Sequence, residues 1–220
     1  MTARMRIDIY SDTVCPWCFL GKRRFELALA ERPQYEPRVT WRPFELNPEM
    51  PWDGVEREGY LAAKVGDPAR VAAMEELLVR HGEAVGVQFR FDLIERVPNS
   101  RRSHLLIAHA ARQGLQARVK DRVMRAYFQE GVDIGDAEEL VRLGVEGGLS
   151  ERDARCALVL REGQDGIVAA ERHAAAIGVS VVPTYIFDGQ YTLTGAQEPS
   201  NMAQVLDQVA ELAAAREAAL

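Results

Sequence analysis

Met5-Arg6-Ile7-Asp8-Ile9-Tyr10-Ser11-Asp12-Thr13-Val14-Cys15-Pro16-Trp17-Cys18 decides how the rest of the chain is read. Residues 5–10 alternate apolar and polar side chains, the period of a strand with two different faces. Ser11-Asp12-Thr13 has turn chemistry. Pro16 suits the first position of a helix, where its missing N–H would have no intrahelical partner anyway. The stretch therefore reads strand, turn, helix, with two of the chain's three cysteines one helical turn apart at the helix mouth. Thiols that close can pass between dithiol and disulfide with little backbone movement, and a CxxC at such a junction reads as a redox motif. The competing readings are half of a zinc site and a pair of inert thiols. Zinc needs about four ligands, commonly in close pairs, and the sequence offers no second CxxC and no HxxxH, so no metal is expected.

The bulk properties bound the rest. The 220 residues can hold one large domain or a domain with a sizeable insertion, and a 47% apolar content can build a core. A net charge of -6 provides no basic field, which argues against nucleic acid as a partner. No stretch approaches the roughly 20 apolar residues that a membrane-spanning helix needs. Residues 1–6 run straight into the first strand without an apolar signal core. A cytoplasmic protein is expected, and there structural disulfides are rare, which favours chemistry for a cysteine pair.

Three blocks follow one another. In residues 5–47 a strand over Arg6–Tyr10, a helix over Pro16–Glu31 and a second strand around Val39–Phe44 form a βαβ start. Residues 55–176 carry helical stripes: Val71, Met74 and Leu78; His104, Ile107, Ala108 and Ala111; Val119, Val123, Ala126 and Tyr127. Pro98-Asn99-Ser100 marks a break and a cap, and Ser150-Glu151-Arg152-Asp153 a capping box. Strands then return as Thr184–Phe187 and Tyr191–Thr194 about a hairpin turn at Asp188-Gly189. Met202, Val205, Leu206, Val209 and Leu212 stripe a closing helix. Strands at both ends with helices between predict a discontinuous α/β domain, residues 1–54 and 177–220, interrupted by an all-helical insertion domain at 55–176.

With these residues assembled, the chain resembles the thioredoxin fold with a large helical insertion, as in the DsbA family. Cys15-Pro16-Trp17-Cys18 followed much later by Val181-Val182-Pro183-Thr184 and a hairpin carries the likeness. The stretches 97–104, 126–134 and 178–184 are similar to the FrnE-like subgroup of cytoplasmic DsbA-type enzymes. The resemblance implies thiol–disulfide exchange on disulfide-bearing protein or peptide clients, with no tightly bound cofactor and glutathione as a candidate co-substrate. It also implies a cis bond before Pro183, and that Val182 offers backbone groups to an extended client. Relatives on the same scaffold include 2-hydroxychromene-2-carboxylate isomerases and kappa-class glutathione transferases, which place serine where this chain has Cys15. A glutathione-dependent isomerase or transferase is thus the rival reading, and a non-catalytic peptide-binding chaperone module the third.

Within the leading reading Cys15 is the nucleophile. Free N–H groups and the positive end of the macrodipole at a helix mouth lower a thiol pKa. Cys18, one turn in, is expected to be deeper and to resolve the mixed disulfide. Pro16, Trp17, Phe19, Val182, Pro183 and Thr184 are expected to line the site, with Trp17 and Phe19 equally open to plain packing. Asp12 either tunes the thiol or serves the turn. Asn99 and His104 either line a cleft between the domains or serve packing and capping, and Arg101-Arg102 reads as a solvated face before a seat for a glutathione carboxylate. Arg23-Arg24 reads as a solvated face. Cys156 reads as a small buried hydrophobe in a stripe with Val159 and Leu160.

Overall fold

The computed structural model describes residues 5–217. The chain opens with β1 (Arg6–Ser11), α1 (Pro16–Ala30) and β2 (Arg38–Pro43). The intervening segment then runs β3 (Val55–Glu56), α2 (Arg57–Val65), α3 (Pro68–Glu83), a 3-10 turn at Phe91–Leu93 and β4 (Arg96–Val97). It continues through α4 (Arg101–Ala111), α5 (Gln116–Glu130), α6 (Ala137–Glu146), α7 (Glu151–Val159) and α8 (Arg161–Ala176). The chain closes with β5 (Thr184–Phe187), β6 (Tyr191–Thr194) and α9 (Pro199–Glu217). The fold is α/β and thioredoxin-like with a helical insertion, as expected. Within the insertion, β3 and β4 add a two-stranded antiparallel ribbon pairing Val55 with Val97 and Glu56 with Arg96, too short to show in sequence periodicity.

The main sheet has the order β2-β1-β5-β6. β1 runs parallel to β2, with Ile9 beside Trp41, and antiparallel to β5, with Ile9 beside Tyr185. One face is covered by α1 and α9, where Phe25, Ala28, Met202, Leu206 and Val209 close over Ile7, Ile9, Tyr185 and Phe187. On the other, Tyr10 packs with Ala174 and Val179. Cover on both faces explains why β1 departs from strict alternation and buries Ile9, Tyr10 and Ser11 in succession. On the outer border of β2 the Gln116 side chain accepts from the Trp41 N–H at 3.0 Å and donates to its carbonyl at 2.9 Å, standing in for a further strand.

Helix ends follow their sequences. Ser150 caps α7 through Asp153 N, and Asp136 caps α6 through Glu139 N. At the Pro98 break Ser100 is the N-cap of α4 without a side-chain bond of its own to the helix mouth, and Asn99 Oδ1 accepts from Arg101 N at 2.9 Å. The stripe proposed for Cys156 does not bury. Cys156 is half-buried and Val159 is 76% exposed, while Ala154 and Ala157 make the inward contacts of α7. Met74 is likewise exposed. Among the described residues no helix is long and apolar enough to cross a membrane.

Candidate active site

β1 delivers the chain to the turn at Asp12-Thr13, and α1 begins at Pro16 with Cys15 as its N-cap. Cys15 is 4% exposed and Cys18 fully buried. Both are thiols here, and Cys18 is the main influence on the Cys15 thiol. The Cys15 thiol also points at the Val182 carbonyl across 4.0 Å. The Val182–Pro183 bond is cis. Its loop comes so close to α1 that a Cβ on Gly21 would stand 2.9 Å from Pro183 Cγ and 2.8 Å from the Tyr185 hydroxyl. Gly21 is therefore what lets the loop reach the sulfurs. Sequence reading passed over it, because a glycine inside a helix shows its purpose only once its neighbour across space is known.

The turn ahead of Cys15 is clasped from the insertion, one side chain per residue. Lys120 Nζ donates to Ser11 Oγ at 2.9 Å. His104 Nε2 lies 3.2 Å from Asp12 Oδ1, and Thr13 Oγ1 lies 2.7 Å from Ser103 Oγ. All six of these residues are buried. Asp12 additionally accepts from Leu46 N at 2.7 Å and weakly from Val14 N at 3.4 Å. Burial pushes the Asp12 carboxyl up, but the hydrogen bonds from His104, Leu46 N–H and Ser100 outweigh it and hold it below the usual range.

These surroundings oppose the pull of the helix mouth. The Cys15 thiol is raised well above its ordinary value. The hydrogen bond shared with Cys18 is the main cause, followed by burial and Cys18 charge, and the Asp12 carboxylate adds to it. The Cys18 backbone N–H pulls the other way but is outweighed. The helix mouth is present; the open, cation-flanked setting that lets a macrodipole ionise a thiol is not. The buried ammonium of Lys120 is itself lowered to about 8 by desolvation and lies 4.8 Å from the centre of the Trp41 ring.

Cys15, Pro16 and Trp17 open on a cavity of about 380 Å³. Val14 and the buried Ile94, Val97, Tyr127 and Phe128 form its inner wall, and residues of α2 and Met74 of α3 its outer wall. Cys18 is not on its lining. Of the other expected site residues, several lie elsewhere. Phe19 turns into the core, stacked on Phe128 with ring centres 5.5 Å apart and edge-on to Phe89 at 5.8 Å. Thr184 is buried and donates to Val181 O at 2.7 Å. Asn99 donates to Met50 O at 2.6 Å, and His104 serves Asp12, so neither lines the cavity. Arg101 is spent on Glu45, and Arg102 on Gly135 O at 2.8 Å and the Trp52 ring. Arg24 is buried rather than solvated, bonded to Ala196 O and His81 and ion-paired with Glu198. What sequence reading missed is the outer wall: Asn47 of the loop after β2 and Arg57, Tyr60, Leu61 and Lys64 of α2 line the cavity without any motif to announce them, and Met74, read as part of a helical stripe, lines it too. Among the described residues no cluster of His, Cys, Asp and Glu could hold a metal.

Residues 6–207 match the DSBA-like thioredoxin domain family. The uncharacterized protein YwbO of Bacillus subtilis is 31% identical over 193 residues, covering 87% of this chain and 90% of its own. A solved structure of a probable DsbA oxidoreductase from Streptomyces coelicolor is 33% identical, covers 94% of this chain and 90% of its own, and superposes with a TM-score of 0.85. The cytosolic disulfide reductase DsbM of Pseudomonas aeruginosa, also solved with GSH, is 22% identical with a TM-score of 0.68, over 94% of this chain and 99% of its own.

Proposed function

From the premise that this chain belongs to the DSBA-like thioredoxin domain family, we propose that it is a thiol–disulfide oxidoreductase working in the reducing direction. Cys15 is the attacking sulfur and Cys18 the resolving one. The observation that carries this order is that Cys15 faces the cavity while Cys18 is buried behind it. The Cys15 thiolate attacks one sulfur of a substrate disulfide, giving a mixed disulfide and one released thiol. Cys18, losing its proton, then attacks Cys15, giving the internal disulfide and a second released thiol. Two equivalents of a low-molecular-weight thiol, glutathione being the candidate, restore the dithiol. The cytoplasm supplies such a pool.

The reducing direction is supported by the likeness to the cytosolic disulfide reductase DsbM, which is also solved with GSH. Equilibration with a glutathione redox buffer is expected to give a potential nearer the thioredoxin value of about -270 mV than the DsbA value of about -120 mV. The roles themselves are tested by substitution. Cys15→Ser should abolish reduction of a disulfide by dithiothreitol. Cys18→Ala should accumulate the mixed disulfide on Cys15, visible by mass spectrometry. Full turnover in Cys15→Ser overturns the assignment, and an isomerase activity that survives Cys18→Ala while disulfide turnover collapses favours the glutathione-dependent rival.

A further inference from the structure

The cavity above Cys15 carries one chemical feature that exchange between sulfurs does not require. Lys64 of α2 is exposed, so it stands where the lining meets solvent. Its ammonium is held in place by neutral groups: it donates to Asn47 Oδ1 at 3.0 Å and to the Tyr60 hydroxyl at 2.7 Å, and it lies 5.2 Å from the centre of the Tyr60 ring. Tyr60 is fixed in turn by its own bond to Asn47 Oδ1 at 3.0 Å. Among the described residues no carboxylate pairs with Lys64, and none lines the cavity. The other cation there, Arg57, is committed to Glu75 and lies over the Phe91 ring. In a chain of net charge -6, an ordered and uncompensated ammonium beside an apolar pocket is a local inversion of the protein's field.

Size adds a second constraint. About 380 Å³ is near the lower end of the roughly 300–1,000 Å³ typical of small-molecule sites. A cysteine only 4% exposed beside it is poorly placed for a disulfide that cannot leave a folded protein surface.

Building on the oxidoreductase reading, we propose that the substrate is a low-molecular-weight disulfide with an apolar body and an anionic group, whose carboxylate or sulfonate is seated on Lys64. The body fills the wall formed by Leu61, Met74, Phe91 and Phe128, and one sulfur meets Cys15. The dithiol is oxidised to the internal disulfide as the substrate yields two thiols, and a low-molecular-weight thiol returns the electrons.

The test uses two aromatic disulfides of similar bulk: dithionitrobenzoate, with a carboxylate on each ring, and neutral dithiodipyridine. Rates of reaction with the reduced full chain are compared as the ratio of the anionic to the neutral probe. Lys64→Gln should lower that ratio about fivefold to tenfold, Lys64→Arg should keep most of it, and added salt should lower it in the unsubstituted protein but not in Lys64→Gln. A ratio unmoved by Lys64→Gln overturns the assignment of Lys64, and so does reduction of insulin as fast as of the anionic probe. Failure of the unsubstituted protein to react with either probe would instead sink the oxidoreductase reading beneath it.

Discussion

A cysteine, a lysine and a carboxylate show how far a residue's chemistry depends on what closes around it. Cys15 has the helix-mouth position that its sequence announces, yet Cys18, burial and Asp12 move its thiol upward. Asp12 and Cys18 stand three residues to either side of it, but the burial that makes them count comes from the inserted helices packed around it. Lys120 is the cleaner case. Its ammonium is lowered from 10.5 to about 8 because its solvation is lost on folding. Between those values the unfolded chain binds the proton and the folded one does not, so stability rises with pH across that window and is lost as pH falls through about 8. The shift corresponds to about 3 kcal/mol. Subtracting the urea-unfolding free energies of Lys120→Met from those of the unsubstituted protein at pH 7.5 and pH 10.5 should expose a rise of that order. A flat difference would mean that water reaches the ammonium beneath Trp41.

At the scale of elements, the parts that sequence made legible are those whose signals are local. The hairpin of β5 and β6 turns at Asp188 and Gly189, both with positive φ, as the Asp-Gly pair announces. The buried face of α5 carries Val119, Val123, Ala126 and Tyr127 as its period requires. Gly131 ends that helix in the left-handed region with φ 69, the usual role of glycine one residue past a helix. It also has a tertiary reason: an added Cβ would stand 2.6 Å from Leu93 Cβ and against the Leu93 carbonyl. Gly131→Ala therefore meets backbone strain and collision together. A loss of about 2 kcal/mol or more in chemical unfolding is expected, beyond the cost of about 1 kcal/mol for the left-handed backbone alone. A loss below 1 kcal/mol would show that the Leu93 turn yields. The two-residue strands β3 and β4 were illegible because such an element has no period to read, and α2 buries no residue at all, so nothing in its pattern marked it as a wall of the cavity.

Across the whole molecule, the first helix and the insertion share one interior, while the sheet closes a second one with α1 and α9. Cys15, Cys18, Phe19 and Leu20 of the first segment belong to the same core as Leu106, Met124, Phe128 and Leu143 of the inserted helices. The α/β class with its helical insertion was legible because strand and helix periods are separated along the chain. The site was legible only as far as its sulfurs, the Pro183 loop and Trp17. Asn99 and His104 were drawn from a stretch that does approach the sulfurs, but their polar atoms satisfy Met50, Arg101 and Asp12 and face away from the cavity. The amide of Gln116 has a consequence at a still larger scale. Sheets end in unsatisfied borders, and bare borders recruit other chains. By occupying both polar groups of Trp41 from the side, one glutamine denies that border to a second molecule. Gln116→Ala should lay the β2 rim open, and growth of light scattering with protein concentration, absent in the parent under the same conditions, would register the resulting self-association.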